Sequence, residues 1–396
     1  MSPRSKKEYL QNVFPRYKQA KSKEQKSKIL TEFCEVCGYH RKHAIRLLTK
    51  FKRFTKPKIR KRGKPSVYNQ PPVLAALERI WLDARMPCSK RFVVIIPLWL
   101  PHYPGGLDLN VIKAIKKISA STIDRVLKHI RKKYKHVNIS TTKPGTLLRK
   151  QIPIKTNQWE EFRPGFLEAD TVAHCGGSPE GEYVNTVDFV DIATAWTEQR
   201  AVWGKGETAV LEQIKDVEQS LPFALLGFDS DNGGEFLNHH LLRHFTDNPK
   251  RKNQIQFTRS RAYKKDDNAH IEQKNYTHVR QCLGYRRFDH PKIVDLLNDL
   301  YKNEWRLYHN FFLPSVKLIE KERIRSKIIK KHDQPKTPYQ RVIDTNSFDV
   351  QNPMKQKLTQ QLEYLNPFTL KKSSTKKSKK FYNLLHENSC AKTLPG

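Results

Sequence analysis

Carboxylates are scarce in this 396-residue chain: 39 Asp and Glu stand against 75 Lys and Arg, for a formal charge of +36. That imbalance points to a polyanionic partner, because cations that neutralise phosphates release condensed counterions and bind without regard to sequence. The six cysteines fall at irregular positions, so no disulfide framework is expected and a reducing compartment is. Met1 to Lys7 is polar and basic and lacks the apolar centre of a secretory leader. The apolar run Phe92 to Leu100 is broken by Pro97 and is too short to span a bilayer. These absences predict a soluble, cytoplasmic, nucleoid-associated protein with no membrane partner.

The scarce carboxylates are gathered in one place. Phe166 to His240 holds 14 of them against only Arg200, Lys205 and Lys215, a net charge of −11, so the rest of the chain carries about +47. A pure binding module has no use for an acidic island inside a cationic chain. An enzyme that holds metal ions against DNA does.

Ahead of the island the chain reads as helical. Ile29, Leu30, Phe33, Cys34 and Cys37 recur at helical spacing, Gly38 stops that helix, and Ala44, Ile45, Leu47 and Leu48 mark the next. The second helix carries Arg41, Lys42, Arg46 and Lys50, so residues 1–55 are expected to form a DNA-binding helix-turn-helix, or else an ordinary basic helical hairpin. Cys34, Cys37, His40 and His43 lie three apart, but the central gap is too short for a usual zinc finger, and core cysteines fit better. A basic linker, 56–71, includes "KPKIRKRGKPS", whose Arg60 and Arg62 are candidate DNA contacts. A second helical unit, 72–140, shows one stripe at Val73, Leu74, Leu77, Ile80 and Trp81. Another runs through Ile123, Val126, Leu127 and Ile130 after a Ser119/Ser121 capping signal. Arg125, Lys128, Arg131 and Lys132 lie off that stripe, and Arg125 and Lys128 join the candidate DNA contacts.

After a linker at 141–165 the pattern changes to α/β in a core expected over 166–290. "FLEADTVAHC" (166–175), "EYVNTVDFVDIAT" (182–194) and "WTEQRAVWG" (196–204) read as a three-strand meander. Glu207 to Leu221 reads as an amphipathic helix and "FALLGFDSD" (223–231) as a strand ending in acids. Gly234 to Phe245 reads as helix, "IQFTRS" (255–260) as a strand, and Asn268 to Leu283 as a helix closed by Gly284. That order predicts an α/β catalytic core with a mixed sheet flanked by helices. A helical, basic extension follows over 291–345. The last stretch, 346–396, contains "KKSSTKKSKK" and is expected to be a disordered, phosphate-binding tail.

Three of the acids stand out by position: Asp170 in the first strand, Asp231 at the end of the fourth before Asn232-Gly233-Gly234, and Glu272 in the closing helix, four residues after Asn268. Carboxylate oxygens are hard ligands suited to Mg²⁺ or Mn²⁺, and two such ions can serve phosphodiester displacement. Asp229 shares Asp231's side of the strand by alternation, so periodicity does not separate them. Strand-end position favours Asp231. Glu235 is expected to support a helix N-terminus.

Asp170, "SDNGGEF" (230–236) and "DNAHIEQKN" (267–275) resemble the Asp-Asp-Glu core of bacterial insertion-sequence DDE transposases with a retroviral-integrase-type catalytic domain. The likeness extends to "CGYHRKHAIRLL" (37–48), "NFFLPSVKL" (310–318) and "KTPYQRVI" (336–343), covering about residues 8–345. It implies an RNase H-like fold, with Asp170, Asp231 and Glu272 as catalytic metal ligands for Mg²⁺ or Mn²⁺, two ions in all. It further implies hydrolytic nicking at element ends, attack of the freed 3′-hydroxyl on target DNA, and a homo-oligomer that synapses two ends. The spacing of 40 residues between the second Asp and the Glu exceeds the spacing near 35 common in the wider superfamily, with the extra length expected in "TDNPKRKNQ" (246–254). Arg259, Arg261, Lys264 and Lys265 are candidate phosphate contacts ahead of the Glu helix, and Asn268, Lys274 and Arg280 are candidate positioning groups. Two alternatives stay open: a metal-dependent nuclease that cuts without joining, with Asp188, Asp191 or Asp266 as a fourth carboxylate, and a non-catalytic DNA-binding regulator.

Overall fold

The structure, a computed structural model, describes residues 1–50, 66–134, 162–230, 235–236, 238–246, 248–249, 251, 253–259, 269–324, 327–349 and 351–391. The chain divides into two compact units, Met1–Pro65 and Ser66–Gly396.

The first unit is three helices: α1 (Pro3–Gln19), α2 (Lys23–Cys37) and α3 (Arg41–Lys50). Ser2 and Ser22 cap the first two by accepting backbone N–H bonds from Ser5 and Gln25. Gly38 ends α2 at φ 66°, a left-handed turn open to glycine without strain. Leu10, Val13, Leu30, Phe33, Cys37, Ala44 and Leu48 form its small core, with Cys34 packed against it, so both cysteines are core residues. Ile45, expected on the apolar stripe of α3, instead faces solvent at 39% exposure. The shorter stripe through Ala44, Leu47 and Leu48 is enough to seat the helix.

The second unit begins with five helices: α4 (Pro71–Asp83), α5 (Ser89–Trp99), α6 (Leu109–Lys116), α7 (Ala120–Val126) and α8 (Lys128–Lys133). Ser119 caps α7 through Thr122 N–H. The sheet contains β1 (Phe166–Ala173), β2 (Val184–Asp191), β3 (Thr197–Trp203), β4 (Gly227–Ser230) and β5 (Gln256–Arg259) in the order β3-β2-β1-β4-β5. β2 is antiparallel to both neighbours, while β1, β4 and β5 are mutually parallel. Helices α9 (Glu207–Ser220) and α10 (His239–Thr246) supply Val210, Ile214, Val217, Leu241 and Phe245 to a core with Leu167, Ala169, Val187, Phe189 and Phe228. This is the expected mixed sheet flanked by helices. α10 starts later than the sequence suggests, because Asn238 is the residue whose side chain accepts Leu241 N–H.

The opposite face of the sheet meets a long helix and its successor. Ala269–Lys274 (α11) continues through a π-helical stretch, Asn275–Arg280, into Gln281–Leu283 (α12), which ends at Gly284 with φ 72°. Lys292–Leu300 (α13) likewise runs through a π-helical stretch, Tyr301–Trp305, into Arg306–Phe312 (α14). A hairpin of β6 (Leu318–Ile324) and β7 (Lys327–His332) follows, then α15 (Pro338–Asp344), α16 (Pro353–Glu363) and α17 (Pro367–Ala391).

Two expectations about organisation are corrected here. Residues 72–140, 166–290 and 291–345 are not separate bodies. Val73, Leu77, Phe92, Ile95, Trp99 and Ile123 share one core with Trp196, just ahead of β3, and with Phe311, Phe312, Val342, Leu358 and Phe368. The stretch 346–396 is not a disordered tail over its described part, because apolar residues bracket the lysine run. Phe381 is fully buried among Ile293, Leu297, Leu300 and Phe288, and Phe368 meets Trp99 edge-on with ring centroids 4.9 Å apart. Lys377 reaches Asp299 at 2.8 Å and Glu304 at 2.7 Å, so part of the charge run is neutralised in place. Among the described residues no helix is long and apolar enough to cross a membrane.

Asp191, one of the carboxylates held in reserve as a ligand, proves to be a loop clamp. Buried at the end of β2, it accepts bonds from Gly165 N (2.7 Å), Thr194 N (2.8 Å) and Thr194 Oγ1 (2.6 Å). Gly165 lies at φ 119°, and a Cβ there would stand 2.5 Å from Ala224 O, so the clamp secures a turn that tolerates no side chain. Asp191→Ala orphans three donors and is expected to cost about 2–4 kcal/mol. Urea unfolding should show this as a lowered midpoint with an unchanged slope.

Candidate active site

The polar face of the sheet carries the acids. Paired positions in a ladder share a face and alternate positions along a strand return to it. The register sets Asp170 against Asp188, Glu168 against Asp229, Asp188 against Gln199 and Asp229 against Thr258. Four carboxylates therefore stand on one face of β1, β2 and β4, beneath α11, which packs across β1 and β2.

Two bonds fasten that helix to β1. Glu168, buried, accepts the backbone N–H of Ile271 at 3.1 Å. Asp170, half-buried, accepts a bond from Asn275 Nδ2 at 2.6 Å and another from Thr171 N at 2.7 Å. Residues 168 and 170 are successive positions on one face of a strand, and 271 and 275 are one helical turn apart, so the two attachments set both position and rotation of the helix. Glu272, between the attachment points, stays exposed. The fastening begins the π-helical stretch at Asn275, where one extra residue per turn re-aims the following side chains. Sequence reasoning missed Glu168 and Asn275. Their signal was available: Glu168 is two residues before Asp170, and Asn275 three after Glu272.

Asp188 and Lys274 lie beneath this layer. Burial pushes the Asp188 carboxyl up to about 7; the bond it accepts from Gln199 Nε2 at 2.8 Å and the charge of Lys274 oppose that rise. Burial pushes the Lys274 ammonium down to about 8, against the pull of Asp188. Asp188 is fully buried, which suits it to supporting Asp170 from below rather than to meeting a substrate as a fourth ligand.

Asp229, the reserve candidate in "GFDSD", is buried and accepts a bond from Thr258 Oγ1 at 2.6 Å. Asp231 follows one residue beyond Ser230 and lies outside the described residues, as do Asp266, Asn268, Arg261, Lys264 and Lys265. Among the described residues no cluster of three or more His, Cys, Asp and Glu is placed to hold a metal ion. The carboxylate oxygens of Asp170 and Glu272 are donors of the hard type that Mg²⁺ or Mn²⁺ takes. Beside Asp170, the buried acceptor Asn275 Oδ1 has no hydrogen-bond partner among the described residues.

Glu235 departs from its expected helix-capping part. Burial raises its pKa, but Lys205 Nζ at 2.9 Å, its own backbone N–H and Thr171 Oγ1 at 2.7 Å outweigh burial and hold the carboxyl below the usual range. It belongs to an ion pair beside β1, and Asn238 is the cap.

The candidate DNA contacts fall in three groups. Arg41 is committed within its own unit, donating to Thr31 Oγ1 at 3.0 Å and Ser27 Oγ at 2.8 Å, while Lys42 and Arg46 are exposed on α3. Arg125 and Lys128 are exposed, whereas Arg131 is tied to Asp124 at 2.6 Å. Arg60 and Arg62, and the side chains of Lys50 and Arg259, lie outside the described residues. Arg280 is structural, donating to Ala173 O at 2.8 Å and lying over the Tyr285 ring.

No family model matches the chain. It is 35% identical over 339 residues to "Uncharacterized protein y4rM" of Sinorhizobium fredii (strain NBRC 101917 / NGR234), an alignment spanning 84% of this chain and 94% of that protein. The chain belongs to the y4rM family. The structure of this y4rM-family chain is similar to the catalytic core domain of BIV integrase at 13% identity, covering 44% of this chain and 91% of that one with a TM-score of 0.28. It is also similar to a chain of the simian T-cell lymphotropic virus intasome solved in complex with the PP2A regulatory subunit B56 gamma. There the identity is 11%, the coverage 60% of this chain and 72% of that one, and the TM-score 0.34.

Proposed function

We propose that the chain is a DDE-type transposase with an RNase H-like catalytic core, in which Asp170, Asp231 and Glu272 hold Mg²⁺ or Mn²⁺. Hydrolysis at an element end breaks one phosphodiester P–O bond and leaves a 3′-hydroxyl. Joining forms a bond from that oxygen to a target phosphorus and breaks the target's own P–O3′ bond, so no nucleotide cofactor is consumed. Two divalent ions bound there would favour the attacking oxygen and stabilise the leaving one. Glu168 and Asn275 set the helix that carries Glu272 over β1 and Asp170, the buried Asp188 and Lys274 lie beneath, and Glu272 is presented outward. The exposed cations of α3 and α7–α8 suit element-end DNA, and a second copy would be needed to hold two ends together.

The observation that carries this reading is the double fastening of the helix to β1, through Glu168 and Asp170, on either side of Glu272. A helix turned by one residue would carry Glu272 away, and two independent bonds prevent it. The complete burial of Asp188 favours a three-carboxylate site over the four-carboxylate nuclease. The test is strand transfer with labelled inverted-repeat DNA from the element's own ends, in Mg²⁺ or Mn²⁺. Cutting followed by joining supports the proposal, cutting alone makes the chain a nuclease, and binding without either makes it a regulator.

Asn275→Ala separates positioning from folding in the same assay. It removes the side chain that fixes Asp170, and is expected to lower cleavage roughly 10–100-fold while DNA affinity and thermal midpoint stay near those of the parent. Asn275→Gln, which keeps the amide one methylene farther out, should recover little, because the Asp170 contact is short.

A further inference from the structure

α17 has two sides of opposite kind. Ser374 and Phe381 are buried along its inner side, and Lys377 on that side takes Asp299 and Glu304. Half a turn away, Lys372, Lys376, Lys379 and Asn383 fall at i, i+4, i+7 and i+11, and all four are exposed. No carboxylate occurs in the sequence between Asn366 and Glu387. Like charges three and four residues apart repel, so Lys376 beside Lys372, Lys379 and Lys380 costs the free helix stability. A polyanion laid along the row reverses the sign of that cost. The inner side is spent on the core, through Phe368 and Phe381, so the helix has no apolar face left to insert into a lipid surface.

The row does not end with the helix's own lysines. A groove of about 560 Å³ between α13 and α17 is lined by Lys292, Asp295, Leu296, Lys380, Asn383 and Leu384, so Lys292 and Lys380 add two exposed cations at its edge. Farther along, Tyr382 OH donates to Leu283 O at 3.1 Å, and the Arg286 guanidinium lies 5.0 Å from the centre of the Tyr382 ring. These contacts bolt α17 to the far end of the helix that carries Glu272. Eleven residues of helix separate Glu272 from Leu283, roughly 17 Å, or about five base-pair steps of B-DNA. Lys372 to Lys379 spans about 10 Å of helix, matching about three phosphate steps on one strand.

We propose that the Lys372–Lys376–Lys379 row of α17, continued by Lys380 and Lys292, is a track for the phosphates of duplex DNA flanking the site. This rests on the reading of DNA as the chain's substrate but is independent of the chemistry at Asp170. The track acts on affinity and the acidic site on turnover. Because the buried side of α17 fixes its rotation, the row is presented ready-made, and binding orders only the lysine side chains.

The experiment measures affinity of the full chain for a fluorescein-labelled duplex between about 50 and 200 mM salt. It compares Lys376→Gln/Lys379→Gln with Lys331→Gln/Lys357→Gln, which removes two exposed charges elsewhere on the same unit. Two lost phosphate contacts are expected to weaken binding roughly 10–50-fold at about 0.1 M salt and to flatten the log–log salt slope by about 2. The control pair should move the slope by less than about half a unit. Lys376→Arg/Lys379→Arg, which keeps both charges, should bind as the parent does. The Gln pair on α17 should melt no lower than the parent, since both side chains are exposed and repel each other. Parent-like affinity and slope in that pair would overturn the track and leave the transposase reading intact. An equal loss in the control pair would overturn it by assigning the effect to net charge. A loss confined to phosphatidylserine-containing vesicles, with duplex binding kept, would overturn it in favour of a lipid surface. A loss in the α17 pair alone, with a parent that neither cuts nor joins, supports the track and removes the transposase reading. If the parent binds no duplex, both fall together.

Discussion

Asp231→Asn and Asp170→Asn are each expected to lower strand cleavage and joining by roughly 1,000-fold or more, with DNA affinity kept within about twofold. Asparagine keeps the volume and one oxygen but removes the charge that would hold a divalent ion, so the loss falls on turnover. Asp229→Asn is the discriminating control. Asp229 is buried and bonded to Thr258, so its replacement should cost stability but leave turnover within about tenfold. A dead Asp229→Asn beside an active Asp231→Asn would refute the assignment of strand-end carboxylate to Asp231. Glu272→Gln should match the two Asp variants. Because Glu272 is exposed, it should do so without any fall in melting temperature.

The second large effect is on stability. Phe381→Ala is expected to cost about 3–5 kcal/mol, since the ring is fully buried against α13 and Phe288 with centroids 5.8 Å apart in the latter pair. That is a large share of the roughly 5–15 kcal/mol that stabilises an ordinary protein. Removal of residues 367–396 should leave the second unit unfolded, read as loss of a cooperative thermal transition. A disordered tail would be dispensable in both experiments, so a parent-like melting curve for either variant would restore the tail reading.

The sheet was legible because its strands obey local rules: β1, β2 and β3 begin and end within a few residues of the positions their β-branched runs suggest. Asp170 and Glu272 could be singled out because each stands at a topologically distinct place, one in the first strand and one on the helix that packs across it. Asn275 was hidden because an amide that holds a strand carboxylate through Asp170 Oδ2 looks, in sequence, like any polar residue on a helix. Glu168 was hidden because an acid that anchors a helix through Ile271 N–H looks, in sequence, like any strand acid. α17 was concealed by its own composition. Six lysines between 371 and 380 dilute the stripe that runs through Leu370, Ser374, Lys377, Phe381 and Leu385, and the acids that neutralise one of them, Asp299 and Glu304, are some 75 residues away. The merging of α4–α8 with the C-terminal helices has the same origin, since a shared core is a long-range property that a linear pattern does not encode.

Trp99 and Phe368 also set a clock on the second unit. Their rings meet, yet about 270 residues of synthesis separate positions 99 and 368. At about 5–20 residues per second, the apolar faces of α4 and α5 emerge on the order of tens of seconds before the helices that cover them. The sheet is threaded between, so β1 and β2 are made while the core beside them is still open. The acidic face of the sheet and the segment that completes its support are thus finished in that order, and a nascent chain holds its acids long before it holds its shape.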